Sequence, residues 1–359
     1  MKTRKFLILA IIFALLNMGA VFGIFGPQKY GDTGENIALI NWLQGEGGQA
    51  EMARILRPLG PFLALPFEFL GEGAGLVVQN IFFYLLCAFL VFKIVEIIYH
   101  DKKQAFFASL FFVTATPVIE SGLAYLTDTG AWFFYLFSIF LTLLYFKRRE
   151  DWLITVNALI SGLAVLIKEN GGLGILFFGL MIFLSKEFSA KEKIKKLIYF
   201  GTLFLIPTIV IQVFVYHYFN YTSLDWYLRN PPGSRGESIF LSLLRYFGQL
   251  FRILGILWIF IFMGITKEWR ERNWERIKIY LALLPASFSF FVWSTTGSAR
   301  AVFIFAPLGI LLASHGFKKI KPWAMVLVIS AVIVLNYFFV SVNQKILFVD
   351  IIYNFLLNR

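Results

Sequence analysis

Apolar residues fill this chain in runs of fifteen to twenty-five, separated by short charged clusters, with no two-residue alternation inside the runs. Reading the runs between the clusters predicts helices near 6–26, 76–99, 104–121, 130–146, 152–167, 171–185, 197–219, 243–265, 277–293, 301–315 and 322–341, eleven in all. A bilayer core takes ~20 apolar residues per spanning helix, and lipid offers no partner for backbone polar groups, so unalternating runs of this length favour helices over a barrel. The expected fold is an all-α polytopic membrane protein of about eleven transmembrane helices, one integral-membrane domain over residues 1–359 with no soluble C-terminal domain. The first run is longer than the ~7–15 residues usual for a signal peptide and lacks a clear A-x-A site, so it reads as a retained anchor.

The basic residues set an orientation. Lys2, Arg4 and Lys5, then Lys102 and Lys103, "KRR" at 147–149, "KEFSAKEKIKK", the basic residues of 267–278, and Lys318, Lys319 and Lys321 all fall on one side of the count. Short cytoplasmic loops collect Lys and Arg, which places the N-terminus inside, the C-terminus outside and the chain in a plasma membrane of prokaryotic type. The other face holds Lys29, Arg54, Arg57, Lys168, Arg229, Arg235, Arg300, Lys345 and Arg359.

Composition agrees with this picture: 59% of the residues are hydrophobic, well above the share in soluble domains. The net charge of +12 follows from the cytoplasmic surplus, which also suits anionic lipid headgroups, and is no argument for nucleic acid. Cys87 is the single cysteine, so no internal disulfide forms. His100 and His315 fall at cytoplasmic helix ends and His217 near an outer one, a scatter that argues against a histidine-rich metal site.

Two longer stretches, 27–75 and 220–242, fall on the outer side. Pro58, Pro61 and Pro66 cut the first into pieces expected to be short amphipathic helices, and "RNPPGSRGES" makes part of the second a Pro/Gly-rich loop. The first carries "QKYGDTGEN". Asp32 with Glu35 three residues on fits a capping box at the start of a helix through "ENIALINWLQ", a purely structural reading of both acids.

Further outer charges open a chemical reading. "RILRPLGPF" carries Arg54 and Arg57, "YLTDTGAWF" Asp128, "VLIKENGGL" Lys168 and Glu169, and "TTGSARAVF" Arg300. Each has a structural explanation: Asp128 as a cap, Lys168 snorkelling, the arginines on headgroups. Charged residues beside spanning helices are also candidate functional sites, and Lys168 is a lone cation in a short outer turn where the topology rule disfavours it. A carboxylate accepts a proton from an attacking hydroxyl, while Arg and Lys stabilise a phosphate leaving group; together they suit a lipid phosphate whose tail lies in the bilayer.

In order along the chain, "YGDTGENIALINWLQGEG", "RPLGPFLALPF", "LTDTGAWFFYLF", "LAVLIKENGGLGILF" and "ARAVFIFAPLGIL" resemble the GT-C-type integral-membrane glycosyltransferases, in particular the protein O-mannosyltransferase and aminoarabinose-transferase-like branch. The resemblance spans roughly residues 1–315 and implies inverting transfer of a sugar from a polyprenyl-phosphate donor to a glycan, lipid or protein acceptor at the non-cytoplasmic face. By that resemblance Asp32 matches the first-loop catalytic acid, Lys168 a lysine beside the donor phosphate, and Arg57 and Arg300 cationic pocket positions. Thr33 stands where relatives carry a second acid next to the first, which leaves the part of Glu35 open. The candidate site is thus Asp32 and Glu35 as catalytic residues and Arg57, Asp128, Lys168, Glu169 and Arg300 as substrate-binding residues, with no metal ligands assigned and no cofactor required. A Mg or Mn ion on Asp32 and Asp128 stays open as an alternative, since such ions take oxygen ligands. The competing reading is a transporter or lipid flippase, whose sites lie near mid-membrane between repeats or broken helices.

Overall fold

The computed structural model describes residues 2–46, 51–229, 239–288 and 299–344, and every regular element in them is a helix. Arg235, Lys345, Arg359 and most of the "RNPPGSRGES" stretch lie outside the described residues. The order is α1 (Lys2–Ile24), α2 (Gly31–Gln44), α3 (Met52–Ile55), α4 (Leu59–Ala64), α5 (Ala74–Tyr99), α6 (Lys102–Val113), α7 (Thr116–Ser121), α8 (Asp128–Arg148), α9 (Trp152–Val165), α10 (Gly174–Leu184), α11 (Ala190–Phe219), α12 (Ser223–Arg229), α13 (Ile239–Leu254), α14 (Leu257–Glu271), α15 (Trp274–Phe288), α16 (Ala299–Val302), α17 (Ala306–Gly316) and α18 (Pro322–Gln344). Short 3₁₀ turns, Leu65–Leu70, Glu169–Leu173 and Phe303–Phe305, extend α4, lead into α10 and join α16 to α17.

The eleven apolar runs lie mostly on helix over their described residues, but not as eleven equal spans. Six helices among the described residues are long and apolar enough to cross a membrane: Arg4–Ile24, Ala74–Tyr99, Asp128–Arg148, Ala190–Phe219, Ala299–Gly316 and Pro322–Val342. A bent pair raises the number to seven if it counts as one span. α1, α11 and α18 turn rows of Ile, Leu and Val outward, such as Leu16, Val210 and Val334, as lipid-facing helices do, whereas α8 and the α16–α17 rod are mostly enclosed by other helices. The stretch between α1 and α5 is a set of helices shorter than the spans. It is tied down by Glu68, whose carboxylate accepts from the backbone N–H groups of Gly73 (2.7 Å) and Gly75 (3.0 Å) at the start of α5.

Two expected helices are broken. The run 104–121 stops at Thr114, whose hydroxyl donates back to the Leu110 carbonyl, and restarts after extended Ala115 with Pro117 in the first turn of α7, where its missing N–H costs nothing. The run 243–265 breaks at Gly255, which has φ +44°, and the two pieces meet at 96°. A left-handed residue ends a helix, and glycine takes that conformation without a Cβ clash. α13 is therefore not part of a straight span, as the sequence reading had it.

α14 packs along α17 at backbone contact. A Cβ on Gly264 would stand 2.0 Å from the Leu312 carbonyl oxygen, and one on Gly316 2.0 Å from that of Phe260. Small residues that let helix backbones meet are a common means of association in lipid, where no hydrophobic drive exists between helices. Gly264→Ala is expected to force the pair apart and cost ~1–3 kcal/mol, the range for overpacking. Gly201→Ala on α11, where a Cβ meets nothing within 4 Å, is the control and should be neutral or slightly stabilising. Thermal unfolding of both variants in detergent checks the pair; equal melting would show that the close approach does not matter.

Candidate functional site

The chain enters α2 through Tyr30, the N-cap residue, whose backbone N–H donates to Thr33 Oγ1 (2.9 Å) and whose hydroxyl donates to the Glu120 carbonyl on α7 (2.7 Å). The backbone N–H of Tyr125 donates to the Gln28 carbonyl (3.1 Å) from the turn before α8. These bonds pin the start of α2 against α7 and α8. Asp32 is consequently not the cap, as the sequence pattern suggested, but lies in the first helical turn, where the helix dipole favours its charge. Tyr30 and Thr33 take the capping positions.

Asp128 opens α8 with its side chain 1% exposed. Lys168, which follows α9 and precedes the 3₁₀ turn, donates from Nζ to Asp128 Oδ1 at 2.5 Å. Arg300 on α16 spans two carboxylates: Nη2 donates to Asp32 Oδ2 at 2.9 Å and Nη1 to Asp128 Oδ2 at 3.4 Å. Arg54 on α3 continues the series, with Nη2 3.4 Å from Asp32 Oδ1 and Nε donating to Glu35 Oε2 at 2.6 Å. The charges therefore run Lys168, Asp128, Arg300, Asp32, Arg54, Glu35, alternating in sign, and the two links through Arg300 join segments 172 and 268 residues apart in sequence. Burial draws the Asp32 carboxyl upward, but Arg300, Arg54 and Lys168 outweigh it and hold the group below the ordinary aspartate value of 3.8.

Of the residues the sequence singled out, Asp32, Asp128, Lys168 and Arg300 come together directly, and Glu35 joins through Arg54. Arg57 and Glu169 form a pair of their own at 3.1 Å, next to the others through Lys168 and the α3–α4 turn. Arg54 was named on the outer face but left out of the site; its link to Asp32 is a matter of tertiary contact. Glu120 and Arg252, paired at 3.0 Å between α7 and α13, were missed altogether, although an ionisable residue inside an apolar run is itself a signal. Two further groups lie one turn below the carboxylates. Asn36 Nδ2, four residues after Asp32, and Trp132 Nε1, four after Asp128, are buried without a hydrogen-bond partner. The Trp132 ring stands edge-on against Phe303, just past Arg300, at 4.7 Å.

The Arg300 guanidinium occupies the space between the Asp32 and Asp128 carboxylates, meeting one oxygen of each.

No protein-family model matches the sequence, and no curated protein matches it either. Solved structures do match by shape. One is ArnT from Cupriavidus metallidurans bound to undecaprenyl phosphate, with TM-score 0.67 and 13% identity, covering 92% of this chain and 62% of that one. Another is the Archaeoglobus fulgidus oligosaccharyltransferase tethered to an acceptor peptide containing the NVT sequon, with TM-score 0.60 and 14% identity, covering 95% of this chain and 55% of that one. The chain thus spans somewhat more than half the length of either neighbour. The chain shares its overall fold with these two structures over nearly the whole of its length.

Proposed function

We propose that the chain transfers a sugar from a polyprenyl-phosphate-linked donor to a hydroxyl of a glycan, lipid or protein acceptor, with inversion, at the non-cytoplasmic face of the membrane. The observation that carries this is the alternating charge series at one end of the bundle. Buried ion pairs gain little net stability over apolar packing, so a six-member series assembled from distant segments is poorly explained as reinforcement. Clustered charges around an acid whose titration they shift, as Arg300 and Arg54 do for Asp32, mark functional sites. The ligand in the ArnT structure, undecaprenyl phosphate, supports a lipid-phosphate donor. The charges sit at helix starts rather than mid-membrane, which favours surface chemistry over transport.

Lys168 has three N–H groups and Arg300 five, so each retains donors for a phosphate beyond those given to Asp128 and Asp32. Asp128 is the positioning residue that holds both cations in place. Asp32, kept ionised, accepts the proton of the acceptor hydroxyl as that oxygen attacks the anomeric carbon. The bond from that carbon to the phosphate oxygen breaks, its electron pair leaves with polyprenyl phosphate, and Lys168 and Arg300 stabilise the departing charge. A phosphate that draws Arg300 toward itself also removes a counter-charge from Asp32 and strengthens it as a base when the donor arrives. Asn36 and Trp132 supply unused N–H donors for sugar hydroxyls. Glu35 holds Arg54 against Asp32. No metal-dependent step is needed.

Asp32→Asn keeps the shape and removes the base, and is expected to lower transfer ~10²–10⁴-fold with folding and donor affinity retained. The acid limb of wild-type kcat/KM for the donor, which reports the enzyme before phosphate is bound, should lie below pH 3.8, because the neighbours favour the ionised form. Near-normal turnover by the variant would confine Asp32 to holding its arginines.

Lys168→Met should weaken undecaprenyl phosphate binding and also lower the melting temperature, since it removes a partner from buried Asp128. Adding Asp128→Asn should restore the melting temperature without restoring binding. A double variant that binds like wild type would move the phosphate seat away from Lys168.

Sidedness has a direct test. Gly34 is exposed two residues from Asp32 and has open space around it, so Gly34→Cys in a Cys87→Ala background should react with an impermeant thiol reagent from outside intact cells. Labelling only after the cytoplasmic side is opened would reverse the topology.

A further inference from the structure

The opposite end of the α16–α17 rod carries a second polar cluster that the transfer reaction does not use. His315, in the last turn of α17, is 0% exposed, and neither ring nitrogen has a hydrogen-bond partner. An unpartnered imidazole in the interior is costly, because its desolvation is uncompensated. Its Nε2 nevertheless faces two carboxylate oxygens, Glu268 Oε2 at 3.5 Å and Glu271 Oε2 at 3.4 Å, on the last turn of α14. The three ligand atoms lie within 4.8 Å of one another, the one such group of His, Cys, Asp and Glu among the described residues.

The spacing is long for a hydrogen bond and close to that of ligands sharing an ion: two atoms each ~2.0–2.1 Å from zinc at the tetrahedral angle stand about 3.4 Å apart. The surroundings also hold the would-be ligands still. The Tyr99 ring stacks on His315 at 5.6 Å and 11°, fixing the imidazole plane. Arg276 donates to both oxygens of Glu268 and to Glu271. Such outer contacts orient metal ligands; the Tyr280 hydroxyl also donates to Glu268 Oε2 at 3.2 Å, and an ion on that oxygen takes the lone pair the tyrosine now uses. The backbone contact at Gly264 and Gly316 brings this about: Glu268 is one turn beyond the first glycine, and His315 directly precedes the second.

We propose that His315 Nε2, Glu268 and Glu271 bind one divalent transition-metal ion, clamping the cytoplasmic ends of α14 and α17. One imidazole and two carboxylates suit zinc, and thiolate-seeking metals find no sulfur in the set. Glu271, the exposed member, opens the fourth position to solvent. Arg276 and Lys267 already offset the two carboxylates, so binding should be weaker than in a structural site of thiolates.

The test needs no turnover and so stands apart from the proposed activity. The full chain, purified in detergent and stripped with a chelator, is incubated with zinc, desalted and analysed for metal, and its melting temperature is followed against zinc concentration. Wild type should retain about one zinc per chain and melt higher with zinc, as a ligand bound to the native state requires. His315→Gln and Glu271→Gln should each lose retention and the zinc-dependent rise, whereas His100→Gln and His217→Gln should keep both. Glu271→Gln alters only a partly exposed side chain, so it serves even if the His315 variant folds poorly. No zinc on wild type, or equal retention by wild type and Glu271→Gln, overturns the proposal.

Discussion

Arg300 carries one guanidinium to two carboxylates on different helices, and this end of the molecule is arranged around that demand. Asp128 is enclosed by protein, where an unpaired carboxylate would cost several kcal/mol. It is therefore met on one oxygen by Lys168 and on the other by Arg300. Arg300 can reach Asp32 as well only if α2 lies flat against α7 and α8, which is what the Tyr30 and Gln28 bonds secure. Arg54 and Glu35 then complete a series of three acids and three cations with no net charge.

Neutrality matters for what such a site can bind. On the proposed reading, a phosphate meets the spare donors of Lys168 and Arg300 and shares those cations with the acids that hold them. Charges near the surface of a membrane protein interact more strongly than in water. A merely structural network would be as well served by apolar residues of similar volume.

The α16–α17 rod links this site to the other face. It begins with Arg300 and ends with His315, and between them it is almost wholly enclosed, with Gly316 against the α14 backbone. Polar groups at both ends and small residues along its flank fix its axial position and its rotation. That is how a helix without a hydrophobic drive toward its neighbours acquires a single register in lipid.

How much of this was legible in the chain depends on the range of the cause. Length and continuity of apolar runs made a polytopic helical membrane protein unavoidable, because backbone groups in lipid must be satisfied within the segment. The charges left at one set of helix ends pointed to Asp32, Asp128, Lys168 and Arg300, since the bilayer permits so few places for them. The break at Gly255 was not legible: an apolar run reads alike whether straight or bent, and only packing against α16 and α17 decides that α13 turns aside. The apparent capping box was ambiguous in the same way, because Tyr30 became the cap once its hydroxyl found the Glu120 carbonyl ninety residues away. Local composition determined the solvent this protein folds in and the ends where charge can survive; which acid meets which cation was decided by tertiary structure alone, because ion pairing depends on distances that sequence spacing does not encode.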